Sequence, residues 1–318
     1  MSGFTTNTID YVIRSNLWTS TLKDLFEDEL IAMKYVNWIS EFPDGNTFNQ
    51  PSIGQAEVSD YAEDQPVKYN SMDTGNFQLT IDEYVQSGTY MTNEFKQDSY
   101  IADQIMAKFI PEQNRAIMKD LEVKILKEGP TNQTADDTNT INGAYHRFVG
   151  SGTNETISPV DFQLARYSLQ KAAVPMNNLI CIVDPSVEVT LATLSNLVNV
   201  SNNPTWEGVV RTGASTGMRF LMSIYGWDVY TSLNLHVNTA SETIDSKTVS
   251  AGVNNIFFSA TPGYLPIIGA IRQPVRVDTK YNMDYQRDEY VTTMRYGLGF
   301  HRPENFVTIL TDTDQVYA

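Results

Sequence analysis

The 318-residue chain is long enough to form two lobes and to bury a sizeable hydrophobic core. Its 22 basic and 38 acidic side chains give a formal net charge of −16 at pH 7, which argues against a sequence-reading DNA-binding protein and against attachment to anionic membranes. Hydrophobic residues make up 41% of the chain and charged residues only 19%, so the composition excludes a disordered protein and favours a strand-rich globular fold.

The start of the chain carries no pattern typical of an export or membrane signal. Residues 1–7 lack both a basic and an apolar region, and no later run approaches ~18 consecutive apolar residues. The single cysteine, Cys181, lies in an apolar run, which indicates a buried small side chain and leaves no partner for a disulfide. We therefore expect a chain made and kept in a cytosol-like compartment.

The first predicted element is a short amphipathic helix over residues 21–33, where apolar side chains recur at helical spacing. Residues 41–76 are polar and rich in turn-forming Pro and Gly, which predicts a long extended hairpin with little core of its own. Residues 77–85 then alternate between apolar and polar side chains. This alternation predicts a half-buried strand that returns to the body of the protein.

The longest helix is predicted over residues 93–127, with Gly129 and Pro130 closing it. Pro111 lies inside this pattern, where it would remove a backbone donor and clash with the carbonyl group of Ala107. A kink or a break is therefore expected, with Pro111 opening the second piece.

A mixed α/β lobe is predicted next. Ser158 is expected to cap a helix that begins at Pro159 and runs to about Lys171. A buried strand over residues 179–183 and a helix over residues 186–197 follow it. Further strands are predicted over residues 218–235, 255–259, 275–280, 290–300 and 305–310.

One pattern suggests an enzyme. Residues 213–217 match the G-x-S-x-G motif of serine hydrolases. Such a nucleophile must lie between a strand and a helix, yet residues 218–227 are bulky and show no helix cap, so a glycine-rich turn is the favoured interpretation. A serine hydrolase remains as an alternative. Its triad would consist of Ser215, Asp284 or Asp288, and His301.

No other chemistry is indicated by the sequence. The three histidines are far apart, no phosphate-binding glycine motif occurs, and the acidic clusters lie in polar loops where solvated charge is the usual role. We therefore predict no catalytic residue, no cofactor site and no metal site, and we expect a structural or interaction protein. The histidines are His146, His236 and His301.

The order of the predicted elements, together with several short motifs, resembles the major capsid protein of tailed double-stranded DNA bacteriophages, which has the α+β Hong Kong 97-like fold. The motifs that carry the resemblance are Ala172-Ala173-Val174-Pro175 before the strand over 179–183, Gly208-Val209-Val210-Arg211, Gly226-Trp227-Asp228-Val229-Tyr230, Tyr296-Gly297 and His301-Arg302-Pro303-Glu304.

The resemblance implies five segments. They are an N-terminal arm (1–38), an extended loop that reaches over a neighbouring subunit (39–88), a peripheral domain with a long spine helix (89–157), an α/β axial domain (158–262) and the closing strands of the peripheral domain (263–318).

The same resemblance implies a subunit that assembles with copies of itself into the hexamers and pentamers of an icosahedral head. The head would enclose double-stranded DNA without sequence-specific binding, and it would be assembled in the host bacterial cytoplasm. The arm begins almost at Met1, so a separate scaffolding protein is expected, beside a portal and in some heads a decoration protein. Lys68 is the only lysine in the extended loop, and no crosslink through it is expected. A further alternative is another virion protein such as a tail-tube subunit.

The distribution of charge predicts how neighbouring subunits meet. Residues 41–103 carry twelve acids against two bases, whereas residues 271–302 carry six bases against four acids. An acidic loop lying on basic strands of an adjacent copy would steer docking and fix its register. The alternative interpretation is that both charged segments are solvated faces that do not contact each other. The proposed contact residues are Asp60, Glu63, Asp64 and Lys68 in the loop and Arg272, Arg276, Arg287 and Arg295 in the strands.

Overall fold

The computed structural model describes residues 30–39, 45–54, 58–67, 69, 74–98, 102–133, 137–193 and 220–312. Within these residues the α-helices are α1 (Asn93–Asp98), α2 (Ala102–Asn132), α3 (Pro159–Lys171) and α4 (Pro185–Thr193). The strands are β1 (Val36–Ile39), β2 (Thr47–Ile53), β3 (Thr74–Thr80), β4 (Glu83–Thr92), β5 (Thr140–Ile141), β6 (Ala144–Tyr145), β7 (Arg147–Val149), β8 (Leu179–Val183), β9 (Phe220–Ile224), β10 (Trp227–Thr231), β11 (Val237–Asn238), β12 (Glu242–Ile244), β13 (Lys247–Val249), β14 (Gly252–Ser259), β15 (Ile267–Asn282), β16 (Arg287–Phe300) and β17 (Val307–Asp312).

The larger sheet has the strand order β7-β17-β14-β8-β10-β9, and β11 pairs with β14. Its central strand β8 is buried along its whole length because helices cover both faces. Leu179, Cys181 and Val183 belong to the core that contains α3 and α4. Ile180 and Ile182 belong to the core that contains α2. The predicted buried strand and mixed α/β lobe are confirmed, and burial raises the pKa of the Cys181 thiol.

The start of α3 follows the capping chemistry that its sequence predicts. The Ser158 backbone N–H donates to the carboxylate of Asp161 at 2.8 Å, and the Ser158 side chain accepts from the backbone N–H of that same residue. The Asp161 carboxylate also accepts the N–H of Ser151 at 3.0 Å, so the buried acid has several donors. These contacts fix both the first turn of α3 and the loop before it.

The smaller sheet has the order β1-β15-β16-β4 and packs against α2. Its two central strands form a long antiparallel hairpin, in which Ile267 pairs with Phe300 at one end and Asn282 with Arg287 at the other. The strand β15 extends well beyond its predicted range of 275–280, whereas β16 begins three residues before its predicted range of 290–300 and ends with it.

The predicted extended hairpin is present as β2 and β3, which pair antiparallel from Thr47 opposite Thr80 to Ile53 opposite Thr74. The single strand predicted over residues 77–85 is wrong, since β3 ends at Thr80 and β4 begins at Glu83. Ile81 lies in the break and is buried, so the chain changes sheets there while its apolar side chain stays in the core.

The sequence predicted either a kink or a break at Pro111, and the structure excludes the break. The helix α2 is continuous through Pro111. Pro111 and Ala107 are both exposed, so water can satisfy the carbonyl group that the proline leaves without a donor.

The helix also runs past Gly129 and Pro130, where it was expected to close. A Cβ atom on Gly129 would overlap the ring of Phe306. Glycine therefore serves close packing at this position, which explains why it does not mark the end of the helix.

The predicted N-terminal helix over residues 21–33 lies mostly outside the described residues. Its last part differs from the prediction, because Ile31 is not helical and Ala32–Tyr35 form a 3₁₀ turn that leads into β1.

Candidate assembly surfaces

The loop at the far end of the β2–β3 hairpin exposes both apolar and acidic side chains. Val58 is 94% exposed, Tyr61 86% and Val67 70%. Asp60, Glu63 and Asp64 are exposed in the same stretch, and Lys68 lies outside the described residues. Large apolar side chains in water on a segment without a core are typical of a surface that another molecule covers.

The arginines chosen from the sequence lie on the β15–β16 sheet. Arg276 forms an ion pair with Asp278 at 2.8 Å, and both side chains are largely exposed. Arg287 forms a pair with Glu289 at 2.7 Å. Arg295 stands opposite Tyr84 in the register of β16 and β4, and Arg272 lies on β15. The structure thus places the acids on the loop and the arginines on the sheet.

An aromatic group that was not predicted from the sequence lies at the tip of the β15–β16 hairpin. The Arg287 guanidinium lies over the rings of Tyr90 and Tyr285, 4.4 and 4.7 Å from their centroids. Tyr281 and Met283 are exposed beside them. The three apolar or aromatic residues around the hairpin turn were visible in the sequence, but only the register shows that Tyr90 joins them from β4.

A second feature that the sequence did not predict fixes the N-terminal arm to α2. The Glu122 side chain is fully buried and accepts the backbone N–H groups of Ile31 at 2.8 Å and Ala32 at 2.9 Å. These donors belong to the start of the 3₁₀ turn, where backbone N–H groups have no partner within the turn. A negative carboxylate suits that position, so Glu122 anchors the arm.

Charged side chains also surround the base of the extended hairpin. Lys124 of α2 contacts Glu83 at 2.7 Å and Asp120 at 3.3 Å, and its ammonium lies over the ring of Tyr296. The cleft beside these groups has a volume of about 290 Å³ and includes Glu128. Burial raises the pKa of Glu128 above its ordinary 4.5, and the nearby charges of Asp82 and Glu83 act in the same direction, while a hydrogen bond from Asn132 opposes them.

We expect Glu128→Gln to raise the free energy of unfolding at pH 7. The raised pKa means that the folded state disfavours the ionised carboxylate, so the penalty exists at neutral pH and disappears as the pH falls through the raised pKa. The advantage of the variant should therefore shrink between pH 7 and pH 4.5, as measured by urea unfolding at several pH values.

Glu188→Gln on α4, which lies outside this cleft, is the control. If the free energies of unfolding of Glu128→Gln and the wild type differed by the same amount across that pH range, the proposed burial and repulsion at Glu128 would be contradicted.

The hydrolase alternative does not fit the geometry of the described residues. Asp284 and Asp288 lie at the tip of the β15–β16 hairpin, whereas His301 follows the opposite end of β16. The twelve residues between Asp288 and His301 run along an extended strand, which places the two on the order of 40 Å apart. His301 instead packs edge-to-face on Phe77. Ser215 lies outside the described residues.

Among the described residues, no set of three or more His, Cys, Asp or Glu side chains converges as a metal site would require. In the same part of the chain, no helix combines the length and the apolar character needed to cross a bilayer.

The sequence matches no protein-family model and no curated protein. Solved structures do match over nearly the whole chain. The capsid of cyanophage P-SCSP1u is 13% identical with a TM-score of 0.68, and the match covers 96% of each chain. The capsid of cyanophage Pam1 is 11% identical with a TM-score of 0.69, covering 98% of this chain and 99% of that one. The mature capsid of bacteriophage PhiM1 is 13% identical with a TM-score of 0.66, covering 93% and 91%. The chain, with its mixture of helices and strands, therefore has the fold of these phage capsid chains.

Proposed function

We propose that this chain is the major capsid protein of a tailed double-stranded DNA bacteriophage, and that copies of it assemble into the hexamers and pentamers of an icosahedral head. The observation that carries the proposal is the likeness to phage capsid chains from end to end, with more than nine tenths of both chains covered. The exposed apolar loop supports it, since a loop without a core needs a second molecule to cover it.

The five segments of the Hong Kong 97-like fold are part of this proposal. The extended loop of residues 39–88 would contain β2, β3 and the first part of β4, and the spine helix of the peripheral domain would be α2. The axial domain of residues 158–262 would contain α3, α4 and most of the larger sheet. The arm of residues 1–38 would end within β1, and residues 263–318 would supply β15 to β17.

The expected partners follow from the same proposal. They are other copies of the chain, a separate scaffolding protein, a portal, in some heads a decoration protein, and the packaged double-stranded DNA. The net charge of −16 suits a container that holds DNA without binding it tightly. The protein would act in the virion, after assembly in the host bacterial cytoplasm, and would have no enzymatic role.

Electron microscopy and sedimentation of the protein expressed in bacteria, alone and together with a scaffolding protein from the same phage, test the proposal. Closed, roughly spherical particles or rings of subunits are expected. A monodisperse small species under both conditions would contradict it.

We also propose that the acidic loop docks on the basic strands of an adjacent copy, and we expect Arg276→Glu to weaken assembly. Each exposed pair contributes only about 0.2 to 1 kcal/mol, but a shell repeats the contact in every subunit. The fraction of protein in shells, measured by sedimentation from low to high NaCl, should fall with salt for the wild type and be lower for the variant at every concentration.

Adding Asp64→Arg to Arg276→Glu is the test of pairing. Restored assembly would place the two segments against each other. Indifference of the wild type to salt, together with normal assembly of Arg276→Glu, would contradict electrostatic docking.

A further inference from the structure

A polar cleft of about 480 Å³ lies between the C-terminal end of α2 and the larger sheet. Its wall is formed by residues of α2, β7, β11, β12 and β14 and by the turn of residues 239–241, which joins β11 to β12. The titratable side chains in this wall are Lys127, Arg147, His236 and Glu242. The contacts proposed between subunits do not use this cleft, so its polar groups need a separate explanation.

Among the described residues that line the cleft, the single acid, Glu242, is already neutralised. One of its carboxylate oxygens forms an ion pair with the buried Arg147, and the other accepts a hydrogen bond from the Asn238 amide. Asn238 in turn accepts a hydrogen bond from Asn254 at 3.0 Å. This network holds Glu242 in place and leaves the charge of Lys127 uncompensated.

Lys127 is exposed and forms no ion pair or hydrogen bond with the described part of the chain. It also borders the cleft at the base of the extended hairpin, but Glu83 there is paired with Lys124. Its charge acts in the polar cleft. Burial lowers the pKa of His236, and the nearby Lys127 ammonium acts in the same direction, while Glu242 opposes them. The cleft therefore contains a cation that has room for an anionic partner.

The turn of residues 239–241 adds hydrogen-bond donors to this cation. Thr239, Ala240 and Ser241 are exposed, and their backbone N–H groups and two hydroxyl groups find no partner among the described residues. Backbone N–H groups, hydroxyl groups and a lysine ammonium are the donors with which proteins hold the oxygen atoms of a phosphate group.

We propose that this cleft binds the phosphate group of a small soluble anion, with Lys127 supplying the opposite charge and with His236 and the turn of residues 239–241 donating hydrogen bonds. The size of the cleft leaves room beside the phosphate for the rest of a small phosphorylated molecule. Such a ligand would join the end of α2 to β11 and β12, and it would stabilise the folded subunit because it binds only that state.

The chain has three histidines, which makes the site directly observable by NMR. Unassembled full-length subunits labelled on histidine are titrated with inorganic phosphate at constant ionic strength and near neutral pH. The ring signals of His236 should shift until they saturate, and the pKa of His236 should rise because the bound anion offsets the charge of Lys127. The signals of the buried His146 and of His301 should stay in place as internal references.

Lys127→Gln should weaken phosphate binding about tenfold or more, because the contact between opposite charges is lost. The matched control is Lys171→Gln, since Lys171 is exposed at the end of α3 and lies outside the cleft. Urea unfolding without phosphate should show that both variants fold like the wild type. Equal affinity of Lys127→Gln and the wild type, or a common shift of all three histidines, would overturn the proposal.

A short DNA duplex, added at the same concentration of phosphate groups, distinguishes a small anion from the backbone of packaged DNA. The duplex should leave the His236 signals unchanged, because a chain with a net charge of −16 repels a polyanion. Absence of a saturable His236 shift with inorganic phosphate, with or without a shift caused by the duplex, would overturn the proposal.

Discussion

Deleting residues 58–67 is expected to give a folded subunit that no longer forms closed shells. The one backbone hydrogen bond described within this loop joins Gln65 to Ala62, and its apolar side chains point to water rather than into a core. The free energy of unfolding of the free subunit should therefore change by less than about 1 kcal/mol. In a shell, covering Val58, Tyr61 and Val67 would contribute roughly 1.5 to 3 kcal/mol for each side chain, and the deletion removes this from every subunit.

Sedimentation velocity and urea unfolding check this prediction. The control replaces Asp245 and Ser246 at the exposed β12–β13 turn with Asn-Gly, a change of another exposed turn that keeps its left-handed backbone. Closed shells formed by the deletion variant would show that the loop does not join subunits.

Glu122→Ala is expected to lower the free energy of unfolding by about 3 kcal/mol. The change removes the acceptor of the Ile31 and Ala32 N–H groups in a fully buried position, where water cannot replace it without opening the contact between the arm and α2. The variant should also expose residues 30–39 to proteases in the native state, because this anchor precedes β1.

Urea unfolding and limited proteolysis measure the two effects, with Glu188→Ala on α4 as the control for loss of a half-buried carboxylate. Equal stability of the two variants, with no new cleavage site near β1, would contradict the anchoring role of Glu122.

The elements that could be predicted from the sequence are those whose conformation depends on neighbouring residues in the chain. Ser158 before Pro159 predicts a capped helix, and the unbroken apolar run of β8 predicts a strand covered on both faces. The errors arise where packing overrides a local signal. Pro111 is tolerated because its side of α2 faces water, and Gly129 provides space for Phe306 without ending the helix.

Some features of the candidate surfaces could also be predicted from the sequence and others could not. The lack of a core in the loop of residues 41–76 and its acidic character could be predicted, since both are properties of one segment. The contact of Glu122 with Ile31 joins residues 91 positions apart, and the group of Arg287 and Tyr90 depends on the register of β16 and β4. No local pattern specifies such pairs, because they arise only when sheets and helices meet.

Cryo-electron microscopy of shells assembled from the full chain is the most direct test of the central claim, that this protein builds a closed head in which each subunit reaches over its neighbour. We expect an icosahedral particle whose subunits have the fold of the single chain, with residues 58–67 of each copy lying against the β15–β16 sheet of an adjacent copy. A map in which this loop contacts only its own subunit, or an assembly that is an open tube rather than a closed shell, would contradict it.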